Sequence, residues 1–250
     1  MNNIKLTLLF IFLSSCFFSA CRSRTSADNI IDRSIEAHGG TLYEKAHVSF
    51  DFRKIHYTMH KNANQFEYSR EFYADSLGQV KDVLNNRGFT RQINGEVVNV
   101  TAEREKAFSN SVNSVAYFAY VPYGLNDKAV RKTQLPDSNL NGNTYHLIHV
   151  TFLEEGGGED FEDEFLYWID QESFQIKFMA YSYITDGGGV RFRKAVKEHW
   201  VDGILFLDYE NYMPTDPKTK LDEMQALYEE GALEMLSEIR LENIQVHFED

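Results

Sequence analysis

The sequence predicts a mainly β protein of the α+β class, in which one large twisted antiparallel sheet carries about three helices on one face. Segments that alternate apolar and polar residues, as half-buried strands do, recur through most of the 250-residue chain. Turn signals rich in Gly, Asn and Asp separate these segments at intervals of roughly 8–12 residues, the rhythm of antiparallel meanders. Helical periodicity interrupts them in three places, and the ratio of about ten strands to three helices favours a single sheet with helices packed against it.

A short amphipathic helix is predicted first, in the segment SADNIIDRSIEAHGG. Ser26 is placed to cap its N-terminus, and Asp28 lies in its first turn. Ile31 and Ile35 are four residues apart and therefore share one face, and Gly39-Gly40 ends the helix.

Strands are predicted next. VSFDF and IHYTM alternate, and the phase of the alternation shifts between Phe52 and Ile55, which predicts a bulge or bend there. FEYSREF continues the pattern with aromatic rings on one face, among them Tyr68. Turn signals in NNRG and ING enclose a further short strand.

The longest helix is predicted from Thr101 to Tyr120, because the apolar spacing changes there from two residues to three and four. Thr101 can cap its start, and Pro122 and Gly124 end it. One apolar stripe follows the helix, formed by Phe108, Val112, Val115 and Ala119.

A second meander follows this helix, with turns at Asn141-Gly142, at 186–189 and at 201–203. A last helix is predicted to open at Asp216-Pro217, with proline at its first position, and to run to Gly231. The segment IRLENIQVHF is predicted to close the chain as one strand.

The N-terminus has the layout of an export signal: Lys5, a short apolar run from Leu6 to Phe18, then Ser19-Ala20. The run is too short for a membrane-spanning helix, which needs about 20 apolar residues. Residues 1–20 are therefore predicted to be a signal peptide, residues 21–27 a flexible tether, and residues 28–250 a single domain.

Two cysteines, Cys16 and Cys21, follow small residues at the end of this run, a pattern that resembles the lipobox of bacterial lipoproteins. Cleavage at Cys16 would leave Phe17-Phe18 exposed beside the anchor, whereas cleavage at Cys21 leaves the polar tether RSRTSAD. Cys21 is therefore the predicted lipidation site, and Cys16 is the second choice. Ordinary signal cleavage without a lipid is the remaining alternative.

The chain is acidic, with a formal net charge of -13 that becomes -14 when residues 1–20, which hold Lys5 and no acid, are removed. This charge disfavours nucleic acid and anionic membrane surfaces as partners, so acyl chains would supply the membrane attachment. No cysteine remains after Cys21, so stability must come from an apolar core and not from disulfides.

No catalytic or cofactor-binding motif is present: GxSxG, HExxH, GxxxxGK, GxGxxG and paired CxxC are all missing from the sequence. The eight histidines are scattered, without neighbours at metal-ligand spacing. A Schiff-base aldolase on a (β/α)8 barrel would need alternating strands and helices, which this chain lacks. The chain is predicted not to be an enzyme and to carry no cofactor.

The acidic stretch EEGGGEDFEDEF is the sharpest local anomaly. Glu159, Asp160 and Asp163 supply the clustered oxygens that calcium prefers, but their spacing does not match the known calcium loop. A solvated hairpin tip is the alternative interpretation, since charge runs are usually exposed.

Aromatic residues make up 14% of the chain. Large rings on one face of a sheet build either a packed core or an apolar cradle for a ligand, and the excess of strands over helices makes a cradle feasible. The predicted cradle residues are the helix positions Phe108, Val112, Val115 and Ala119 and the strand positions Phe50, Phe52 and Tyr68.

The lipobox, the early helix ending in EAHGG, the meander, the mid-chain helix and the closing IRLENIQVHF together resemble uncharacterised lipoproteins of Bacteroidota. More distantly, this order of elements is similar to the LolA/LolB-type lipoprotein carriers. The resemblance covers the mature chain and includes no sharp motif. It implies a curved antiparallel half-barrel that holds acyl chains in a cavity closed by helices on its concave side, and it transfers no catalytic residue. The stripe from Phe108 to Ala119 would then line or plug the cavity.

These observations predict a lipid-anchored protein of the outer membrane that faces the periplasm and binds a lipid or another apolar molecule. The tether lacks the run of acids that, in Bacteroidota lipoproteins, suggests export to the cell surface, although a surface location stays open. Two alternatives remain: an interaction subunit of an envelope complex with a filled interior, and a periplasmic enzyme with an unrecognised site.

Overall fold

The computed structural model describes residues 26–62, 65–155 and 161–248. Its α-helices are α1 (Ala27–His38), α2 (Ala102–Tyr120) and α3 (Met224–Glu229). The strands of the described ranges are β1 (Ala46–Phe52), β2 (Ile55–Lys61), β3 (Phe66–Ala74), β4 (Gly78–Asn85), β5 (Gly88–Ile93), β6 (Glu96–Val98), β7 (Val130–Gln134), β8 (Ser138–Leu140), β9 (Asn143–Phe152), β10 (Glu164–Asp170), β11 (Ile176–Tyr183), β12 (Gly189–Val201), β13 (Ile204–Pro214), β14 (Leu233–Ile239) and β15 (Glu242–Phe248).

The strands form two antiparallel sheets. The seven-stranded sheet has the order β15-β1-β2-β3-β4-β5-β6. The eight-stranded sheet has the order β14-β13-β12-β11-β10-β9-β7, with β8 paired to β9. The predicted fold class is confirmed, since antiparallel strands dominate and a few helices pack on them. The predicted number of strands was too low. Turns divide several segments that were each predicted as one strand, and β14 lies almost entirely before the predicted closing segment.

The first two helices begin and end where the sequence predicts. Ser26 caps α1 by accepting a hydrogen bond from the Asn29 amide at 3.4 Å, and Gly39 ends the helix with φ at 137°. Thr101 caps α2 by accepting from the Arg104 amide, also at 3.4 Å. Both caps satisfy amides that have no partner within the helix.

The hairpin between β1 and β2 replaces the bulge or bend expected between Phe52 and Ile55. Arg53 and Lys54 form a two-residue turn with φ of 51° and 63°. Two consecutive residues with positive φ are characteristic of the type I′ turn, whose twist suits a tight hairpin. Asn or Asp followed by Gly usually occupies such turns, so Arg53-Lys54 did not predict this one.

The C-terminal part differs from the prediction. The predicted helix from Asp216 to Gly231 is much shorter, because the segment after Asp216 forms turns and a 3-10 helix, Leu221–Glu223, before α3. The predicted closing strand, residues 239–248, contains all of β15 but only the last residue of β14, and these two strands belong to different sheets. The chain passes from one sheet to the other at Leu241, whose amide donates to the Asp208 carboxylate at 2.9 Å.

The eight-stranded sheet is covered on both faces. In β10, Phe165, Tyr167 and Ile169 point to the side of α1 and α2, whereas Leu166 and Trp168 point to the side of α3. This two-sided burial explains why β10 is a nearly continuous apolar run. The seven-stranded sheet buries its apolar face against the opposite side of α2.

Within the described residues, no helix combines the length and apolar character that crossing a membrane requires.

Candidate functional site

A cavity of about 610 Å³ lies between α2 and the two sheets. The C-terminal half of α2, β1 of the seven-stranded sheet and β9 to β14 of the eight-stranded sheet supply its walls. This volume is within the range of about 300–1,000 Å³ that is typical of small-molecule sites.

Aromatic side chains form one wall of the cavity. The rings of Tyr117 and Phe118 on α2 lie 5.1 Å from Phe165 and 5.2 Å from Tyr181, respectively, between centroids. Phe165 and Tyr181 stack at 5.4 Å, and Phe152 meets Phe165 edge-on at 5.8 Å. These separations are those of favourable ring contacts, so this wall is a continuous apolar surface.

The tyrosine hydroxyls at this wall carry no charge. Those of Tyr117 and Tyr167 form a hydrogen bond of 2.9 Å. Burial raises the pKa of both groups, and of Tyr209 on β13, well above 10.0. All three therefore remain neutral at physiological pH and add no negative charge to the cavity.

Polar side chains form a second part of the lining, next to the aromatic wall. Arg193 of β12, Asn211 of β13 and Ser237 of β14 are direct partners in the strand register and lie in one row. The Asn211 Nδ2 donates to Ser237 Oγ at 3.2 Å, and Arg53, from the β1–β2 turn, donates to the same oxygen at 3.3 Å. The row therefore links the two sheets across the cavity.

Two arginines of β12 point into the cavity. Arg193 is only 7% exposed; its guanidinium stacks 3.6 Å from the ring centre of Phe118, and its Nη2 donates to the Tyr181 hydroxyl at 2.8 Å. Arg191 donates to the Tyr183 hydroxyl at 2.6 Å. Arginine is charged at all physiological pH values, so both side chains bring positive charge into a largely aromatic space.

The predicted cradle residues divide into two groups. Phe50, Phe52, Val115 and Ala119 line the cavity. The other three, Phe108, Val112 and Tyr68, do not line it. Val112 and Tyr68 are buried in the core between α2 and the seven-stranded sheet. For the four helix positions the difference follows from helix geometry. Residues of one helical stripe spread over a wide arc, and α2 lies between two surfaces.

Phe108 covers a buried charge cluster under the N-terminal half of α2. Asp82, with 0% exposure, accepts from Arg70 Nε at 2.8 Å, from Arg91 Nε at 2.6 Å and from Arg91 Nη2 at 2.8 Å. Arg70 also donates to Ser111 Oγ at 2.6 Å, and the Phe108 ring lies 3.4 Å from the Arg91 guanidinium. We refer to these five residues as the Asp82 cluster.

The other predicted sites are dispersed. Cys16, Cys21, Glu159 and Asp160 lie outside the described residues, so lipidation and the calcium site stay predictions. Asp163 lines the edge of the cavity. Across the described ranges, no three His, Cys, Asp or Glu side chains are grouped closely enough to hold a metal ion.

Five polar residues of the cavity lining were not predicted from the sequence: Arg53, Arg191, Arg193, Asn211 and Ser237. A signal was present in VRFRKAVKEHW, where Val190 and Phe192 alternate with Arg191 and Arg193. Alternation places both arginines on one face, but a charged face of a strand usually points to solvent. Only the tertiary structure shows that this face is covered by α2.

Comparison with solved structures finds distant likenesses over nearly the whole chain. A DUF1329 family protein from Desulfovibrio piger has 8% identity and a TM-score of 0.48, covering 89% of this chain and 93% of that one. A LolA superfamily protein from Nitrosomonas europaea has 9% identity and a TM-score of 0.47, covering 91% and 95%. A putative outer membrane lipoprotein-sorting protein domain from Vibrio parahaemolyticus has 7% identity and a TM-score of 0.48, covering 89% and 92%.

These structures include a LolA superfamily protein, the type of protein that the sequence resembles. No curated protein matches the chain. The sequence model of one protein family matches residues 7–242 of this chain. The protein therefore belongs to that family, the family of unknown function DUF6503.

Proposed function

We propose that this protein is a membrane-anchored lipoprotein of the cell envelope that binds a lipid or another apolar molecule in the cavity under α2. The aromatic cavity carries this proposal. Its volume of about 610 Å³ and its wall of stacked rings suit an apolar ligand, because burying apolar surface is the main source of affinity at such sites.

The cavity has an opening through which a ligand can enter. Leu236 of β14 lines the cavity and is 49% exposed, and Arg53 at the β1–β2 turn is also exposed. Asn113 and Ser114 of α2 also line the cavity and are exposed, so the cavity is open to solvent at its rim. An apolar side chain at the entrance favours transfer of an apolar molecule from a membrane or a carrier.

The proposed role is binding and not catalysis. The titratable groups that line the cavity are Asp163, the arginines and tyrosines such as Tyr117 and Tyr209, whose pKa is raised by burial. Arginine cannot act as a proton acceptor, and a tyrosine with a raised pKa is a poor one. The lining thus favours recognition of a molecule over its conversion.

Displacement of a neutral fluorescent apolar probe from the chain of residues 21–250 carrying Cys21→Ser, which retains every described residue, tests the proposal. Val115→Trp fills the cavity with a larger side chain and is expected to weaken probe binding by about tenfold or more. Val196→Trp makes the same change at an exposed position that does not line the cavity, and it should bind as the parent does.

Equal binding by Val115→Trp and the parent would show that the probe occupies another place. Absence of probe binding by a folded parent would instead favour the alternative of an interaction subunit with a filled interior.

The anchor is proposed to be an acyl chain on Cys21 at the outer membrane. Radiolabelled fatty acid should label the parent and Cys16→Ala but not Cys21→Ala, and separation of the membranes should place the labelled chain in the outer membrane fraction. Retained label in Cys21→Ala would transfer the anchor to Cys16.

A further inference from the structure

The Arg193 guanidinium has no counter-ion among the described residues. No carboxylate of the described residues pairs with it, and its Nε has no hydrogen-bond partner there, although the side chain is only 7% exposed. A buried charge is costly unless it is paired and hydrogen-bonded. The stacking on Phe118 and the one bond to Tyr181 leave most of the guanidinium donors available.

A second buried polar atom beside Arg193 also has no hydrogen-bond partner in the part of the chain that the structure describes. Asn211 is the direct neighbour of Arg193 on β13 and is 6% exposed, and its Oδ1 makes no hydrogen bond to any described residue. Because Ser237 can donate as well as accept, the Asn211 amide can turn and present its NH2 group to the cavity. Two strands therefore hold adjacent polar groups whose missing partner would lie inside the cavity.

The charge of the lining points to an anionic partner. Three arginines, Arg53, Arg191 and Arg193, line the cavity, and Asp163 is the one acidic side chain among its described lining residues. This excess of positive charge occurs in a chain whose net charge is -13. In a cavity walled by aromatic rings the local dielectric is low, which strengthens the attraction of an anion to a guanidinium.

We propose that the cavity binds an amphiphile with one anionic group, a carboxylate or a phosphate, which pairs with Arg193 beside Asn211 while its apolar part lies along the Phe165–Tyr181 wall. This inference rests on the proposed function and names the chemical class of its ligand. The planar guanidinium suits both anions, because its paired N–H donors match two oxygens of either group.

Three probes with the same alkyl chain and different head groups test the proposal: hexadecanoate, hexadecyl phosphate and hexadecanol. Each is used to displace the neutral fluorescent probe from the chain of residues 21–250 carrying Cys21→Ser. At least one anion is expected to bind about tenfold or more tightly than the alcohol, the size expected for a charge-assisted hydrogen bond. The anion that binds more tightly identifies the head group as carboxylate or phosphate.

Arg193→Met removes the charge and keeps an apolar side chain of similar length, and it should reduce the affinity for that anion to the level of hexadecanol. Arg131→Met, on the exposed surface of β7, removes the same charge outside the cavity and should keep the preference of the parent. Asn211→Asp supplies Arg193 with an internal carboxylate and should also abolish the preference, which provides a second variant if Arg193→Met does not fold.

Hexadecanol that binds as tightly as both anions would overturn this inference and leave the proposed function in place. A preference for the anion that persists in Arg193→Met or in Asn211→Asp would also overturn it. Failure of all three molecules to bind would overturn the proposed function together with the inference.

Discussion

The two ends of α2 each cover a buried arginine with an aromatic ring, and the two arginines differ in one respect. Near its start Phe108 lies over Arg91, at 3.4 Å, and near its end Phe118 lies over Arg193, at 3.6 Å. Arg91 pairs with the fully buried carboxylate of Asp82, whereas Arg193 has no carboxylate partner among the described residues.

The difference separates an arginine that completes the fold from one that is available to a ligand. In the Asp82 cluster every charged group has a protein partner, because Asp82 bonds both guanidiniums and Arg70 also reaches Ser111. Beside the cavity, none of the described residues supplies the corresponding carboxylate. The protein thus satisfies a buried arginine in one region and leaves another unpaired in the region that has space for a ligand.

Asp82→Asn is expected to have the largest effect on stability. It leaves two buried guanidiniums without a carboxylate, and the loss in the free energy of unfolding should be about 3–5 kcal/mol. Urea unfolding followed by circular dichroism measures this loss. Asp127→Asn is the matched control, because it breaks the solvent-exposed pair with Lys61 and should cost less than about 1 kcal/mol. Similar losses in both variants would contradict the structural role given to the Asp82 cluster.

The dependence of stability on pH provides the next test. His38 is a buried basic side chain that the fold keeps neutral, whereas Arg91 and Arg193 are buried and charged. Burial lowers the pKa of His38 from 6.5 to about 4, and its Nδ1 donates a hydrogen bond to the Ser34 carbonyl at 2.8 Å. Between pH 6.5 and about 4 the unfolded chain takes up a proton at this ring that the folded protein does not, so stability falls as the pH falls.

The contribution of His38 to this fall should be on the order of 2–3 kcal/mol, complete near pH 4 and absent above pH 7. Unfolding by urea across this range measures it, and His38→Gln should flatten the dependence. His247→Gln, at an exposed position, should keep the slope of the parent. An unchanged slope in His38→Gln would place the acid sensitivity in other groups.

The same substitution in each region gives the most direct comparison, and Arg193→Met has the smallest expected effect on stability. Arg193→Met should alter the free energy of unfolding by about 1 kcal/mol or less, since loss of the stacking on Phe118 is offset by removal of an unpaired charge. Arg91→Met should cost about 3 kcal/mol, because it removes two hydrogen bonds of Asp82. Comparable costs would mean that Arg193 serves the fold as Arg91 does.

Local signals in the sequence were enough to predict the parts of the fold that depend on neighbouring residues. The caps Ser26 and Thr101, the apolar spacing of α2 and the Asn141-Gly142 turn are of this kind. The short α3 and the separation of β14 from β15 were not predicted, because they depend on which surface remains to be covered and on which sheet edge is available.

The apolar half of the site could be predicted in part, and the polar half could not. Phe50, Phe52, Val115 and Ala119 line the cavity because alternation and helical spacing indicate inward-facing positions. Arg193 and Asn211 lie on different strands, and only their pairing in the β12–β13 register brings them together. Periodicity predicts that apolar residues are buried and that charged residues are exposed. The burial of a cation such as Arg193 is therefore not predicted from periodicity.

The pairing of β1 with β15 has a consequence for the order in which the molecule is made. Ala46 pairs with Phe248, so β1 finds this neighbour only after about 200 further residues have been synthesised. Contacts between such distant residues form slowly, because a long loop must close before they stabilise anything. Since β1 and β14 both line the cavity, its walls are complete only after these distant parts of the chain have come together.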